Sequence, residues 1–175
     1  MRDAEQTLDE AATRFPAEAT IPFQRGAMYE KAKRFVDAEL AFRRALALDD
    51  GHADALNYLG YMLVERGERL DEAVGLIARA LSLDPDNPSY LDSLGWAEFK
   101  KGDFTEAERH LQQAARVLVS NSVVQDHFAQ LLFEKGRYAD AAAAWARALE
   151  GDREEIDPAA IERRLHEARH RAGRK

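Results

Sequence analysis

Apolar residues recur at intervals of three and four along most of the chain, which is the spacing of one face of an α-helix. Between residues 104 and 114, one such face holds Phe104, Ala107, Leu111 and Ala114. No run alternates apolar and polar residues with the period of two that marks a strand, so the sequence predicts helices and no sheet. The predicted breaks fall at glycines, which suit a left-handed cap, and at the segment DPDNP of residues 84–88. The glycines are Gly67, Gly102 and Gly136.

The helical pattern itself repeats every 34 or 35 residues. If Gly60 and Gly95 are each the eighth residue of a repeat, then Gly26 and Ala129 occupy the same position in two further repeats. Alanine fills a second shared position in each repeat: Ala38, Ala73, Ala107 and Ala141. Small residues at matching positions let two antiparallel helices approach closely, so each repeat is predicted to be a helical hairpin. The extra residue of the second repeat is placed in the turn RGERLDEA, residues 66–73.

Both ends depart from the full repeat. The register run backwards puts Ala4, Leu8 and Ala11 in inward positions, so residues 1–18 are predicted to be the second helix of a truncated repeat in a piece of a longer protein. At the other end, Asp157 is a predicted N-cap ahead of Pro158. Residues 156–175 are therefore expected to form a capping helix followed by a basic tail. The helix covers the apolar side of the last repeat.

A helix-turn-helix of this length and pattern resembles the tetratricopeptide repeat (TPR). The resemblance implies an all-α fold, a right-handed α-solenoid of about four repeats between the N-terminal half repeat and the capping helix, in a single domain over residues 1–175. The implied repeats are residues 19–52, 53–87, 88–121 and 122–155. The sequence departs from the family pattern at Arg25, where leucine is expected, at Ala129, and at LDDGH and VSNSV, which stand where the family has a closing DP.

Composition narrows the possible functions. The net charge is −7, and residues 163–175 hold six Arg or Lys against one Glu, which leaves about −12 on the remainder. Nucleic acid is therefore not an expected partner. The chain has no cysteine and no apolar run long enough to cross a bilayer, so membrane insertion by this segment is not expected.

One motif points to catalysis. HEARH, His166 to His170, matches the HExxH helix of zinc proteases, in which two histidines bind the metal and the glutamate is the base. A third ligand and a cleft are not evident, and four neighbouring arginines oppose a dication. The favoured interpretation is a solvated helix face with no metal, no cofactor and no enzymatic activity. Adventitious metal binding and a zinc hydrolase are the weaker alternatives.

The family resemblance implies that a protein or peptide partner binds in a concave groove lined by the first helix of each repeat. The implied partner-binding residues are Asn57, Tyr58, Tyr61, Asp92, Trp96, Phe99, Asp126 and Gln130. Phe133 and Glu134 belong to the wider lining. Tyr61 and Trp96 share one position and suggest an aromatic floor, although large residues there can also pack on their neighbours. The basic two-carboxylate clamp of co-chaperone repeats is not matched.

Residues 55–102 and 123–149 are similar to the C-terminal repeats of bacterial cell-envelope TPR lipoproteins, some of which hold a processing protease and its substrates. That similarity implies a non-enzymatic adaptor, periplasmic or anchored to the outer membrane through a longer protein. A cytoplasmic location is the alternative. The alternative function is the regulatory or assembly arm of a larger enzyme or of a secretion or polysaccharide-export complex. A dimer through the open N-terminal face is also left open.

Overall fold

The computed structural model describes the backbone of residues 2–174 and the side chains of residues 5–174. The described residues form ten α-helices and no strand, as the periodicity predicts. The helices are α1 (Arg2–Arg14), α2 (Thr20–Lys31), α3 (Phe35–Leu48), α4 (Ala53–Glu65), α5 (Leu70–Leu83), α6 (Pro88–Lys101), α7 (Phe104–Val117), α8 (Ser122–Glu134), α9 (Tyr138–Glu150) and α10 (Pro158–Ala172). The inward position predicted for Ala4 and the chain ends Met1 and Lys175 lie outside the described side chains.

The chain divides into two compact halves, residues 1–85 and residues 86–175. The N-terminal half contains α1 and the pairs α2/α3 and α4/α5. The C-terminal half contains the pairs α6/α7 and α8/α9, followed by α10, which packs on α9. No helix in the described part of the chain is both long enough and apolar enough to cross a bilayer.

The predicted close approach inside each helix pair is confirmed at the repeat's eighth position. A Cβ atom added at Gly26 would lie 2.5 Å from the Phe42 ring, and one added at Gly95 would lie 2.7 Å from Leu111 Cγ. Ala129, which replaces this glycine in α8, is itself fully buried. The small side chains therefore set how closely the two helices of a pair cross.

The turns inside the pairs follow the predicted glycines. Gly67, Gly102 and Gly136 have φ of 66°, 87° and 73°, in the left-handed region that glycine tolerates. The α4–α5 turn has four residues, one more than the α2–α3 turn, as the repeat spacing predicts. Arg69, the last residue of this longer turn, has a φ of 46° and so also lies in the left-handed region.

Polar side chains replace the closing DP of the family pattern. His52 Nδ1 accepts a hydrogen bond from the Ala55 amide at 3.3 Å, and Asn121 Oδ1 accepts one from the Val124 amide at 3.0 Å. Each therefore caps the helix that follows it. Asp157 caps α10 in the same way, as predicted, by accepting from the Ala160 amide.

Arg25 also has a structural explanation. Its Nη2 lies 2.7 Å from Asp9 Oδ1, so the arginine that interrupts the apolar pattern of α2 reaches across to α1. Arg34 makes a second link to α1 through Glu5 at 2.8 Å. Leu8 is only half-buried, and so ion pairs supplement apolar contact in holding α1 to the rest of the N-terminal half.

Candidate functional site

The aromatic residues of α6 and α8 form a stack in the C-terminal half. Trp96 lies between His127, with ring centroids 4.1 Å apart, and Phe99, with centroids 5.0 Å apart. Both neighbouring rings are within 13° of parallel to the indole. Trp96 is only 6% exposed, so in this structure the large residue at this repeat position packs on its neighbours. A contact between Trp96 and a partner stays a prediction.

Asp92 is hydrogen-bonded to the histidine of this stack. Its Oδ2 lies 3.0 Å from His127 Nδ1, and both side chains are buried. The second carboxylate oxygen, Oδ1, is buried without a hydrogen-bond partner. Asp92 therefore orients the imidazole ring and keeps one buried acceptor that is unsatisfied.

Asp126 joins three helices of the C-terminal half. Its carboxylate accepts hydrogen bonds from Trp145 Nε1 of α9 at 2.6 Å, from Gln130 Nε2 at 3.1 Å, and from Arg164 Nη1 of α10 at 3.0 Å. The carboxylate, which the sequence assigned to a partner, is thus engaged inside the molecule. It fixes α10 against α8 and α9.

A pocket of about 370 Å³ opens beside this junction. Its lining comes from α6, α8, α9 and α10: Phe99, Gln130, Phe133, Glu134, Trp145, Arg164, Glu167 and Arg171. Two of the predicted partner-binding residues, Phe99 and Gln130, are therefore brought together. The pocket combines aromatic rings with an amide and with charges of both signs.

The sequence pattern does not predict the contribution of α10 to this pocket, because it indicates only a cap for that segment. α10 does cap α9, since Ile161, Leu165 and Ala168 are buried. It also follows α8 at the spacing of one more repeat, so Arg164 stands 34 residues after Gln130. That spacing was present in the sequence and is the signal that would have identified Arg164 as a lining residue.

In the N-terminal half, the predicted residues of α4 have different surroundings. Tyr58 is 42% exposed, and its ring meets Phe23 edge-on with centroids 5.3 Å apart. Asn57 is buried, and its Oδ1 has no hydrogen-bond partner. Tyr61 is half-buried. Tyr58 thus offers an accessible aromatic surface, and Asn57 offers a buried acceptor on the same helix.

The HEARH segment lies in the second half of α10, and its Glu167 is one of the pocket-lining residues. His166 and His170 are exposed, while Glu167 Oε1 lies 2.6 Å from Arg171 Nε. Because Arg171 hydrogen-bonds to it, the pKa of the Glu167 carboxyl is lowered from its ordinary value. Glu167 is therefore an ion-pair partner, which agrees with the solvated-face interpretation.

A different group brings metal-binding atom types together. Glu98, Glu106 and His110 offer ligand atoms that all lie within 4.8 Å of one another. His110 Nδ1 is 2.7 Å from Glu98 Oε2, and Arg109 pairs with Glu106 at 2.8 Å. The His110–Glu98 contact joins α6 to α7, the Arg109–Glu106 pair lies within α7, and both engage the group from within the chain.

Known proteins with similar sequences share the repeat. A tetratricopeptide repeat model matches residues 1–53 and 37–88, and a second tetratricopeptide repeat model matches residues 89–119. TPR repeat-containing protein PA4667 of Pseudomonas aeruginosa is 35% identical over 109 residues, which is 62% of this chain. The matched stretch spans only 18% of that relative's length.

Solved structures give the same fold. PilW, described as a widely conserved type IV pilus biogenesis factor, superposes with a TM-score of 0.81 at 22% identity over 98% of this chain and 80% of its own. YrrB, described as a TPR protein with an unusual peptide-binding site, gives 0.70 at 19% identity over 96% of this chain and 85% of its own. Since the repeat models together match more than half of the sequence, the chain belongs to the tetratricopeptide repeat family.

Proposed function

We propose that the chain is a non-enzymatic adaptor that binds an extended segment of a partner protein, with the pocket of α6, α8 and α10 as its main docking surface. The tetratricopeptide repeat fold supports a protein–protein interaction scaffold in general. The observation that carries the proposal is the convergence of Phe99, Gln130 and Phe133 on one pocket of about 370 Å³. That volume is at the lower end of the range for ligand sites, about 300–1,000 Å³, and suits one or two side chains of a bound segment.

The chemistry of the lining fits such a segment. Aromatic rings supply rigid contact area, and a neighbouring amide supplies donors and acceptors for a peptide backbone, which is the usual composition of an interaction hot spot. Trp96 lies directly behind Phe99 and holds its ring in place. In this proposal Phe99 and Gln130 contact the partner, Trp96 and Asp92 shape the surface beneath them, and Asp126 positions α10.

The predicted residues of α4 form a second proposed contact surface in the N-terminal half. Tyr58 offers its exposed ring and Tyr61 lies one turn further along the helix, while Asn57 is buried and keeps an unsatisfied acceptor on the same helix. This surface is tested separately through Tyr61→Ala.

The experiment is a selection from a library of displayed 12-residue peptides, followed by calorimetry with the selected peptides. We expect Phe99→Ala to weaken binding by about 2 kcal/mol, or roughly 30-fold, because it removes an anchor, while the circular dichroism spectrum is unchanged. Val119→Ala removes a 52% exposed side chain outside the pocket and serves as the control. Peptides that bind equally well to wild type and to Phe99→Ala would reject this surface.

The finer function that we propose is an adaptor in the bacterial envelope that recruits a processing protease or its substrates. It is supported by the similarity of residues 55–102 and 123–149 to envelope lipoproteins, and the Pseudomonas relative is a bacterial protein with the same repeat. The alternative is an assembly arm of a larger enzyme or export complex, and PilW provides an example of a biogenesis factor with this fold. Proximity labelling by the full-length gene product distinguishes them, since the labelled neighbours are a protease and its substrates in one case and assembly components in the other. Labelling confined to cytoplasmic proteins would contradict the envelope location.

A further inference from the structure

The charges around the pocket of α6, α8 and α10 are unevenly matched. Arg164 is paired with Asp126, and Arg171 is paired with Glu167. Among the charged residues lining the pocket in the described part of the chain, Glu134 is exposed, and its carboxylate makes neither an ion pair nor a side-chain hydrogen bond. The lining itself holds two carboxylates and two guanidinium groups, but because Arg164 is paired with Asp126, which lies outside the lining, the Glu134 carboxylate is left without a paired cation.

The aromatic rings of the same region already hold cations from the chain itself. The Arg171 guanidinium lies 4.8 Å from the centroid of Phe133 and 5.4 Å from that of Tyr138. Lys100 Nζ lies 5.3 Å from the centroid of Trp96. These distances are in the range of cation–π attraction, so the rings of this region attract positive groups, and Arg171 and Lys100 occupy them in the structure.

We propose that this pocket binds the side chain of a lysine or arginine in the partner segment, with the aliphatic stem against Phe99 and Phe133 and the cationic head within reach of Glu134. The inference rests on the proposed function, because it specifies the chemistry of the bound segment. Residues outside 163–175 carry a net charge of about −12, which attracts a basic partner over a distance, whereas residues 163–175, which supply the α10 wall of the pocket, are themselves basic. An acidic segment would instead need Arg164 and Arg171, whose charges are already neutralised by Asp126 and Glu167.

Arg171 has a specific place in this proposal. It lies on Phe133 as a guanidinium that the chain supplies, and so it competes with the partner's cation for the same ring. Its removal would free that ring and leave Glu167 unpaired, and both changes favour a basic ligand. A pocket for an acidic ligand predicts the opposite sign, because Arg171 would then be part of the site.

The first test uses peptides selected by wild type and their counterparts in which the basic residue is replaced by norleucine. We expect wild type to prefer the basic peptide about tenfold. Glu134→Gln should reduce this preference to about threefold or less, and Arg171→Ala should increase the affinity for the basic peptide. Glu150→Gln makes the same change at an exposed position outside the pocket and should have no effect.

The second test does not depend on peptide selection. N-acetyl-arginine amide, N-acetyl-norleucine amide and N-acetyl-glutamate amide are titrated into labelled protein, and the chemical shifts of the Trp145 side chain and of residues 130–134 are followed. Shifts with the arginine compound alone, lost in Glu134→Gln, are the expected result. Equal shifts with norleucine, or stronger binding of the glutamate compound, would overturn the basic-residue proposal even if peptides that depend on Phe99 confirm the docking surface. If no peptide depends on Phe99, both proposals fall.

Discussion

Gly60 lies so close to the second helix of its pair that a Cβ atom at this position would stand 2.5 Å from Ile77 Cγ1. The Ala73 carbonyl oxygen, which belongs to the backbone, would be 3.0 Å away. Gly60→Ala should therefore push α4 from α5 and lower the free energy of unfolding by about 1–3 kcal/mol, as other overpacked cores do. Urea unfolding followed by circular dichroism measures this change.

Gly75 supplies the matched control for that substitution. It lies in the interior of α5, and an added Cβ would meet no atom within 4 Å. Gly75→Ala should raise stability by about 0.5–1 kcal/mol, because alanine loses less backbone entropy in a helix. Equal effects of the two alanines would show that helix propensity, and not the close crossing, governs the eighth position.

The Asp126 carboxylate is expected to determine how firmly α10 is held. Asp126→Asn keeps the side-chain shape but removes the charge that faces Arg164, so α10 should lose about 1–2 kcal/mol of stabilisation. Hydrogen exchange should become faster in residues 158–172 and stay the same in residues 20–83. Asp140→Asn, which removes a more exposed pair with Arg137, should have a smaller effect of about 0–1 kcal/mol. If the whole C-terminal half exchanges faster with Asp126→Asn, the residue has a global role rather than a local one.

The N-terminal half should lose stability in acid through Glu39. Hydrogen bonds from Arg69, and then from Arg43, lower the pKa of Glu39 from its ordinary value of 4.5 to about 2. Since the pKa is lower in the folded state, the ionised carboxylate stabilises the fold above pH 4.5, and this contribution disappears as the pH falls towards about 2. The difference in unfolding free energy between wild type and Glu39→Gln should be largest at neutral pH and shrink across that interval. A difference that stays constant with pH would contradict the depressed pKa.

Trp96→Ala should lower partner affinity by about 2 kcal/mol or more while helical content is kept. The stack with His127 and Phe99 adds a second expectation, because removal of a buried indole leaves a cavity and costs about 3–5 kcal/mol of stability. Calorimetry and thermal unfolding, both measured at a temperature where the variant is folded, distinguish the two effects. Unchanged affinity in a folded variant would show that Trp96 does not shape the binding surface.

The fold could be predicted from the sequence because the repeat's constraints are local and recur. Each hairpin needs a small residue where its helices cross, and it also needs an apolar stripe on each helix, so Gly26, Gly60 and Gly95 made the register visible. The position of the extra residue before α5 followed from the same register. These features depend on spacing within one hairpin, which a single sequence displays.

The candidate site is less predictable, because its side chains bind residues of other helices that are distant in the sequence. Asp126 and Trp145 meet through a hydrogen bond over 19 positions, and Asp126 and Arg164 over 38 positions. Nothing in the local pattern distinguishes a carboxylate reserved for a partner from one that accepts an indole N–H. Arg25 is a similar case, because its ion pair with Asp9 depends on α1 lying beside α2, which the local sequence pattern does not show.

The recurrent crossing at the eighth position also restricts how the length of this chain can change during evolution. Loss or gain of a whole hairpin, 34 residues, returns every later glycine and apolar stripe to its proper side. A deletion of one or two residues inside a helix would rotate the rest of that helix by about 100° per residue and turn its buried stripe outward. Gene-length variation among descendants of this sequence should therefore come in whole hairpins, or as single residues in turns such as the one at Arg69.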